Sequence, residues 1–410
     1  MPMYIGIDWS TQKHDIAFVN EKGGTIETFV IEHSEAGFAQ LEAKRQQLHV
    51  KPEECIVGME TAHSLLIDHL WASGYEAIYV LPPGVINANR GRNRQSGARN
   101  DRYDSLVIAE TLRTDLHKFS VWHPGSAELQ QMRVMVGQAF FWTRESVRLA
   151  NRLQALLSRY YPAALTVFKS WPTRLNCEFV LAYPTAERAA HLSWSEFEEF
   201  AKKWHYPRPK LLPACFKRLQ QPYPAIRPGI TAAYAQEARH LALTLRTSLE
   251  IEEENLKQLQ EMFEGHPDAH IFASLPGTGR WLAAALLVKV GEDRQRFPTA
   301  SSLQALAGTC PVTDQSGNRR SIYFRRSCDH QFRQIAQQWA RSAVRESAWA
   351  ASYFQEVRER VGSANHAYRC LANRLLAILW KLWQSKIDYD ESVHLQKRMQ
   401  RCQPLPEKNR

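Results

Sequence analysis

Apolar and polar residues alternate in short segments over the first part of the chain, a pattern typical of β-strands. Five such segments stand at 4–9, 14–20, 25–32, 55–60 and 76–81. Two stretches with helical spacing lie between the later ones. The first follows Ser34, which we expect to be its N-cap, and ends near Leu48; the second covers 64–73.

The order of these elements predicts an α/β domain over 1–125. Three strands in succession form an antiparallel meander, and the later strands, joined through helices, run parallel to the first. A further helix from about Asn100 to Leu112 follows. This order, β-β-β-α-β-α-β and then helix, is the ribonuclease H-like arrangement.

The remainder of the chain is predicted to be mainly helical. Apolar residues recur at three-four spacing over 126–160, and a heptad-like pattern over 231–263 is interrupted by Glu252. We expect a coiled-coil linker over 126–265, and pairing within one chain and dimerisation both remain open. An inserted subdomain over 162–228 holds nine of the twenty prolines and includes a short helix capped by Ser193.

A mainly α C-terminal domain is expected over 266–390, followed by a polar tail over 391–410. The C-terminal domain begins with a helix-hairpin-helix-like segment at 280–290 and 301–308. It ends in a helix over 364–387 whose apolar face, with Trp380 and Trp383 nearby, favours core packing over base stacking.

Four acidic residues stand where the predicted fold would bring them together. Asp8 ends the first strand and Glu60 ends the fourth, and a βαβ crossover makes those strands neighbours. Asp101 and Asp104 share one face of the next helix. Acids at a helix start also complement the helix dipole, so the pair alone carries little weight. Together, the four carboxylates are the oxygen ligands that Mg²⁺ prefers, and they predict a site for phosphodiester chemistry.

An arginine-rich segment lies just before these last two acids. It is expected to be a flexible loop between Pro83 and Arg102 that either is simply solvated or positions a phosphate backbone. Its arginines are Arg90, Arg92, Arg94, Arg99 and Arg102.

A second candidate site lies in the C-terminal domain. The Pro276-Gly277-Thr278-Gly279 turn precedes a helix and would offer backbone N–H groups to phosphate, although a plain turn has the same pattern. Ser316, in a segment expected to be a loop, is followed by Gly317, which allows close backbone approach, and by four arginines. A serine hydroxyl can attack phosphorus, and arginines stabilise the developing charge. The arginines are Arg319, Arg320, Arg325 and Arg326.

Composition adds only weak constraints. The 410 residues carry 52 Lys and Arg against 42 Asp and Glu, and the formal net charge of +10 suggests a polyanionic partner. Seven cysteines without a Cys-x-x-Cys pair predict neither a zinc site nor a disulfide framework. Neither a signal leader nor an apolar run long enough for a membrane span is evident, so we expect a soluble cytoplasmic protein.

The acids, the Leu275–Gly279 turn and the Gln315-Ser316-Gly317 sequence together resemble the DEDD-type insertion-sequence transposases, serine recombinases guided by a bridge RNA. The resemblance implies a RuvC-like first domain, a coiled-coil linker and a C-terminal domain with a nucleophilic serine. It also implies Mg²⁺, donor and target DNA, a bridge RNA, and a dimer-to-tetramer in which one protomer's serine meets another's carboxylates. The segment 162–228 has no counterpart in this resemblance.

Two other functions are compatible with the sequence. A junction-resolving nuclease would use only Asp8, Glu60, Asp101 and Asp104 with water. A non-catalytic RNA- or DNA-binding protein would use the same acids as helix caps and turn residues.

Overall fold

The structure is a computed structural model that describes residues 2–61, 65–93, 101–224, 227–317, 319–392 and 395; the side chains at positions 92, 93, 101 and 228 lie outside that description. The chain forms two compact units, Met1–Pro124 and Gly125–Arg410. In the described part of the chain, every helix is too short or too polar to cross a lipid bilayer.

The first unit is built on a five-stranded mixed sheet with strand order β3-β2-β1-β4-β5. β1 pairs antiparallel with β2 and parallel with β4, and β4 pairs parallel with β5, so the predicted strand directions are confirmed. The strands are β1 (Met3–Trp9), β2 (Lys13–Asn20), β3 (Thr25–Glu32), β4 (Cys55–Met59) and β5 (Ala77–Val80).

Four helices complete this unit, and they cover both faces of the sheet. The predicted N-cap is confirmed, because the side chain of Ser34 accepts a hydrogen bond from the Gly37 amide. Alternate residues of β1 enter two cores: Ile5 and Ile7 face one, and Tyr4 faces the other. The helices are α1 (Glu35–Gln47), α2 (Leu65–Ala72), α3 (Pro83–Asn93) and α4 (Asp101–Asp115).

The predicted arginine-rich loop is wrong over its first half. Residues Pro83–Asn93 form helix α3, in which Pro83 occupies a favourable first-turn position. Residues 94–100, with Arg94 and Arg99, lie outside the described residues.

The second unit contains two long antiparallel helices, α5 (Ala127–Tyr160) and α11 (Pro228–Glu264). Glu252, the polar residue in the heptad pattern, accepts a hydrogen bond from Thr143 Oγ1 at 2.6 Å, and Ser146 and Ser248 hydroxyls lie 2.9 Å apart. The two helices therefore pair within one chain. Val147, predicted on the apolar stripe of α5, is instead 49% exposed.

The inserted segment packs on one end of this helix pair as five short helices, and it shares one core with α5 and α11. Its helix capped by Ser193 is confirmed, with a capping box to Glu196. The five are α6 (Ala163–Val167), α7 (Arg174–Ala182), α8 (Ala186–Ala190), α9 (Trp194–Lys203) and α10 (Leu212–Leu219).

The other ends of α5 and α11 pack into the core of the C-terminal region. Trp383 is fully buried there and Trp380 donates to the Phe297 carbonyl, which confirms core packing for the final helix. The helices are α12 (Ala269–Ala273), α13 (Gly279–Val290), α14 (Ala300–Leu306), α15 (His330–Glu346), α16 (Ala348–Val361) and α17 (Ala364–Ser385).

The segment around Ser316 is not a loop, as predicted, but a β-hairpin. Strands β6 (Val312–Ser316) and β7 (Arg319–Tyr323) pair antiparallel, and nearly all of their residues are exposed. Gly317 adopts a positive φ of 56° in the two-residue connection, a conformation that glycine accepts readily.

Candidate acidic site and serine hairpin

Asp8 and Glu60 lie at the carboxyl ends of adjacent parallel strands. In the β1–β4 register Ile7 pairs with Met59, and these two acids stand one residue further on. The prediction that the ends of these two strands are adjacent is thus confirmed.

Two glycines in the same register bring helix α4 unusually close to the sheet. A Cβ atom at Gly6 would lie 1.9 Å from the Ser105 carbonyl oxygen, and one at Gly58 would lie 2.7 Å from the side chains of Ile108 and Leu112. Only glycine fits at such distances. The close approach places the first turn of α4, with Asp101 and the largely buried Asp104, over this part of the sheet.

Arg90 of α3 provides the cation that faces these acids. Its guanidinium binds both oxygens of Asp104, and its Nη1 also donates to Asn87 Oδ1. The pKa of Arg90 is raised, first by the hydrogen bonds that its guanidinium donates to Asp104 and then by the charges of Asp104, Asp8 and Glu60. Arg90 therefore lies within electrostatic reach of all three acids.

Within the described ranges, no three His, Cys, Asp or Glu side chains are close enough together to hold a metal ion. Asp101, the fourth acid of the predicted set, has its side chain outside those ranges. The described acids are instead neutralised in part by Arg90.

The other arginines of this segment occupy different places. Arg102 donates through Nε to Thr28 Oγ1 at 2.7 Å and through Nη2 to the Thr28 carbonyl, so it ties α4 to β3. The backbone of Arg92 is in α3, whereas Arg94 and Arg99 fall among the residues outside the description.

Asp15 is an acidic residue of this region that the sequence analysis missed. It pairs directly with Asp8 across the β1–β2 ladder and is only 7% exposed. Directly opposed residues on antiparallel strands have Cβ atoms about 5 Å apart and on the same face. The short turn after Trp9 is the sequence feature that could have predicted this pairing, because it sets a strand register in which positions 8 and 15 are opposite each other.

Ser316 is the last residue of β6, next to the tip of the exposed hairpin. Asp314 and Ser316 share one face with their cross-strand partners Ser321 and Arg319, while Arg320 pairs with Gln315 on the other face. Of the four arginines near Ser316, Arg319 is thus its direct neighbour. Arg325 and Arg326 follow the end of β7. The Gly-Asn pair between two β-rich runs was the hairpin signal in the sequence.

Gly277 has a structural role that conflicts with free phosphate binding. Its amide donates to Glu346 Oε2 at 2.8 Å, and a Cβ atom there would lie 2.4 Å from the Ala343 nitrogen. Gly279, in contrast, begins α13 and has open space around its Cα. If this turn binds phosphate, the backbone N–H groups near Gly279 are therefore the candidate donors, and the Gly277 amide is not.

Family comparisons match both units. Residues 5–162 match the DEDD_Tnp_IS110 transposase model, and residues 269–355 match the model for transposases of the IS116/IS110/IS902 family. Both units thus carry transposase domains. The two matched regions cover more than half of the chain, and the chain belongs to the IS110 family of insertion-sequence transposases.

Two curated relatives match nearly the full length of the chain, and a third matches 72% of it. The "Mini-circle putative transposase for IS117" of Streptomyces coelicolor is 28% identical over 95% of this chain and 96% of its own length. The "Insertion element IS900 uncharacterized 42 kDa protein" of Mycobacterium paratuberculosis is 23% identical over 95% and 97%. The "Insertion element IS110 uncharacterized 43.6 kDa protein" of S. coelicolor is 25% identical over 72% and 73%.

Proposed function

We propose that this transposase cuts and rejoins DNA through a covalent bond between Ser316 and a DNA phosphate, assisted by the carboxylates of Asp8, Glu60, Asp101 and Asp104. The observation that carries the proposal is the convergence of Asp8, Glu60 and Asp104 on Arg90 in a chain whose two family matches are both transposases. A guanidinium that is hydrogen-bonded to one carboxylate and influenced by the charges of two more indicates a site that attracts cations.

The chemistry of the donor set suits a hard divalent cation, and the described carboxylates would have to move closer together to share one. Asp8, Glu60, Asp101 and Asp104 offer only carboxylate oxygens, the ligands of Mg²⁺ in phosphoryl-transfer enzymes. Bound there, Mg²⁺ would polarise the phosphodiester and stabilise charge on the attacking and leaving oxygens. Asp104, held by Arg90, would have to exchange its guanidinium partner for the cation.

The covalent step conserves the phosphodiester bond energy. Ser316 Oγ bonds to phosphorus, one phosphorus–oxygen bond to a deoxyribose breaks, and the hydroxyl proton is transferred in net terms to the departing sugar oxygen. Rejoining reverses these changes with a different sugar hydroxyl, so no nucleotide cofactor is consumed. Arg319, directly across the hairpin, is placed to stabilise charge on the phosphate near Ser316.

The proposed assembly rests on the resemblance to the family. We propose that an element-encoded bridge RNA pairs with donor and target DNA and that the serine of one protomer works with the carboxylates of another in a dimer or tetramer. Copurification of the protein from its host, followed by sequencing of bound RNA, tests the guide. A discrete element-derived RNA is expected, and only heterogeneous host RNA would contradict the guide while leaving the serine chemistry untouched.

Trapping the covalent intermediate tests the central proposal. Wild-type protein with Mg²⁺ and labelled donor and target DNA should give a protein–DNA species that survives denaturation. Ser316→Ala and Asp8→Asn should both abolish it. Ser321→Ala, on the same face of the same hairpin, is the matched control and should retain it.

The other two functions give different results in the same assay. If Ser316→Ala still cut DNA while Asp8→Asn did not, the protein would be a nuclease using water. If neither substitution nor removal of Mg²⁺ changed its behaviour, the protein would be a nucleic-acid-binding protein without this chemistry.

A further inference from the structure

A cleft of about 290 Å³ lies at the base of the serine hairpin. One part of its wall comes from the hairpin and the residues flanking it, including Pro311, Ile322 and Phe324. The other part comes from α16 and α17, through Tyr353, His366 and Arg369. The volume is at the small end for ligand sites and suits a single nucleotide unit.

The wall of this cleft is apolar on one part and basic on another. Among its residues in the described chain, the charged ones are Arg325 and Arg369. Burial, and then the charge of Arg369, lower the pKa of His366, so its imidazole is neutral near pH 7 and can both donate and accept hydrogen bonds. A ligand there is expected to carry a negative charge, an apolar surface and hydrogen-bonding edges.

Phe324 is the aromatic residue at the centre of this arrangement. The ring is 44% exposed, yet two guanidinium groups lie near it: Arg333 Cζ is 4.4 Å from the ring centroid and Arg369 Cζ is 4.8 Å away. These cation–π contacts place two guanidinium groups against one aromatic ring. The positive charge beside the ring favours an anionic ligand.

Two donors nearby lack an acceptor. In the part of the chain that the structure describes, the Nε atoms of Arg325 and Arg333 are buried without a hydrogen-bond partner. Unpaired buried donors of a cation are costly, and Arg325 lines the cleft, so a rotation of its side chain would let a phosphate oxygen accept from its Nε. This observation is independent of the shape of the cleft.

We infer that this cleft binds one unstacked nucleotide of a single-stranded nucleic acid, with the base against Phe324 and Tyr353 and a phosphate at Arg325 and Arg369. Single strands are typically recognised in this way, by aromatic side chains for bases and by cations for the backbone. The inference rests on the proposed function for the identity of the partner as a nucleic acid.

The cleft lies at a fixed distance from Ser316, so a nucleotide bound in it would position the rest of the strand. Val312 and Tyr323 pair at the base of the hairpin, and Ser316 is four residues further along β6, which is roughly 13 Å in an extended strand. A nucleotide held in the cleft would therefore fix which phosphate of the strand reaches Ser316. The cleft would set the register of cutting without taking part in the chemistry.

Binding of short oligonucleotides tests the inference. Fluorescence anisotropy at about 0.2 M salt, which suppresses non-specific binding, would compare a labelled oligothymidylate with an abasic strand of the same length. Phe324→Ala should weaken binding of the oligothymidylate at least about fivefold and leave the abasic strand within twofold, because a stacked base is lost. Arg369→Gln should weaken both strands.

Two matched controls correct for general effects. Phe141→Ala removes another exposed aromatic ring, 56% accessible, and Arg239→Ala removes an exposed charge from α11. Both should bind like the wild type. Phe324→Leu, which keeps the apolar side chain, and a melting temperature for each variant distinguish loss of stacking from misfolding.

The outcomes separate this inference from the proposed function. If Phe324→Ala and Arg369→Gln bound both strands like wild type, the cleft would not be a nucleotide site, although Ser316 chemistry could stand. If they weakened binding while Ser316→Ala formed the same products as wild type, the cleft would stand and the serine proposal would fail. Parallel DNA and RNA strands of one sequence decide which polymer supplies the nucleotide. In the cleavage assay, Phe324→Ala should cut at shifted positions.

Discussion

The guanidinium of Arg90 binds the carboxylate of Asp104 through two hydrogen bonds, Nε to Oδ1 at 2.6 Å and Nη2 to Oδ2 at 2.5 Å. The same guanidinium is within electrostatic reach of Asp8 and Glu60. The positive charge of Arg90 reduces the electrostatic repulsion among these three carboxylates, two of which lie at strand ends and one on a helix. Arg90 also binds Asp104, a carboxylate that the proposed cation would need as a ligand.

Arg90→Gln should therefore strengthen binding of a divalent cation. Removing the competing positive charge is expected to raise the affinity for Mn²⁺ several-fold, since partly exposed charge pairs contribute on the order of 1 kcal/mol. Isothermal titration calorimetry of the wild type and the variant measures the change. Affinity that stays the same or falls would show that Arg90 does not compete with the cation.

Arg113→Gln is the matched control for that experiment. Arg113 forms an ion pair with Glu110 on α4 through its Nε and Nη2 atoms, and its side chain is as exposed as that of Arg90, 26% in each case. Its loss should leave the affinity for Mn²⁺ unchanged.

Gly6→Ala should disrupt the acidic site, although Gly6 itself contributes no functional group to it. The new Cβ would meet the Ser105 carbonyl at 1.9 Å and the Ala109 nitrogen at 2.7 Å, both backbone atoms that cannot move aside. Helix α4 would have to shift and carry Asp104 with it. We expect a loss of about 2 kcal/mol or more in stability, by analogy with overpacked cores, together with loss of DNA cutting.

Gly91→Ala provides the comparison within the same unit. Nothing lies within 4 Å of the added Cβ, and alanine is favoured over glycine in a helix by about 1 kcal/mol. Chemical denaturation should show unchanged or slightly increased stability. An equal effect of both substitutions would contradict the close-packing explanation.

The part of the acidic site that depends on local sequence pattern and on the order of the strands could be predicted from sequence. Asp8 and Glu60 follow from the strand order, because α1 after the β1–β3 meander returns the chain to the free edge of β1, where β4 pairs parallel with it. Asp15 and Arg90 could not be placed in the same way. Asp15 depends on the register of a hairpin, and Arg90 depends on α3 folding as a helix against α4, where Tyr103 donates to its carbonyl.

The second site shows the same limit. Ser316 was identified by its glycine and arginine neighbours, but which arginine faces it depends on strand register, since a shift of one residue reverses every side chain. The cleft below the hairpin joins residues more than forty positions apart, such as Phe324 and Arg369, and no local pattern connects them.

Gly277→Ala should destabilise the C-terminal region far more than Gly279→Ala. Both glycines have a positive φ, which costs an alanine about 1–2 kcal/mol, but only the first also meets backbone atoms, at 2.4 Å. Thermal unfolding of the two variants measures the difference. Similar melting temperatures would show that the contact between Gly277 and α15 relaxes easily.

His14 should make the first unit less stable in mild acid. The imidazole is fully buried in β2, its Nε2 lies 2.8 Å from Nδ1 of His33, and burial, followed by the charge of His33, lowers the pKa of His14 to about 4. Because the folded pKa is below the ordinary value of 6.5, the unfolded chain binds more protons between these two pH values. Stability is then fully present above about pH 6.5 and falls by up to about 3 kcal/mol as the pH drops to 4.

Hydrogen exchange of the β2 amides, corrected for the intrinsic effect of pH, measures this dependence. In the wild type the free energy of local opening should decline from pH 6.5 to pH 4.5. His14→Gln cannot take up the proton, so its decline should be shallower even if the variant is less stable throughout. His117→Gln, at an exposed position, should keep the wild-type slope. Parallel slopes for wild type and His14→Gln would assign the acid sensitivity to other groups, because the buried His14 would then contribute nothing to the pH response.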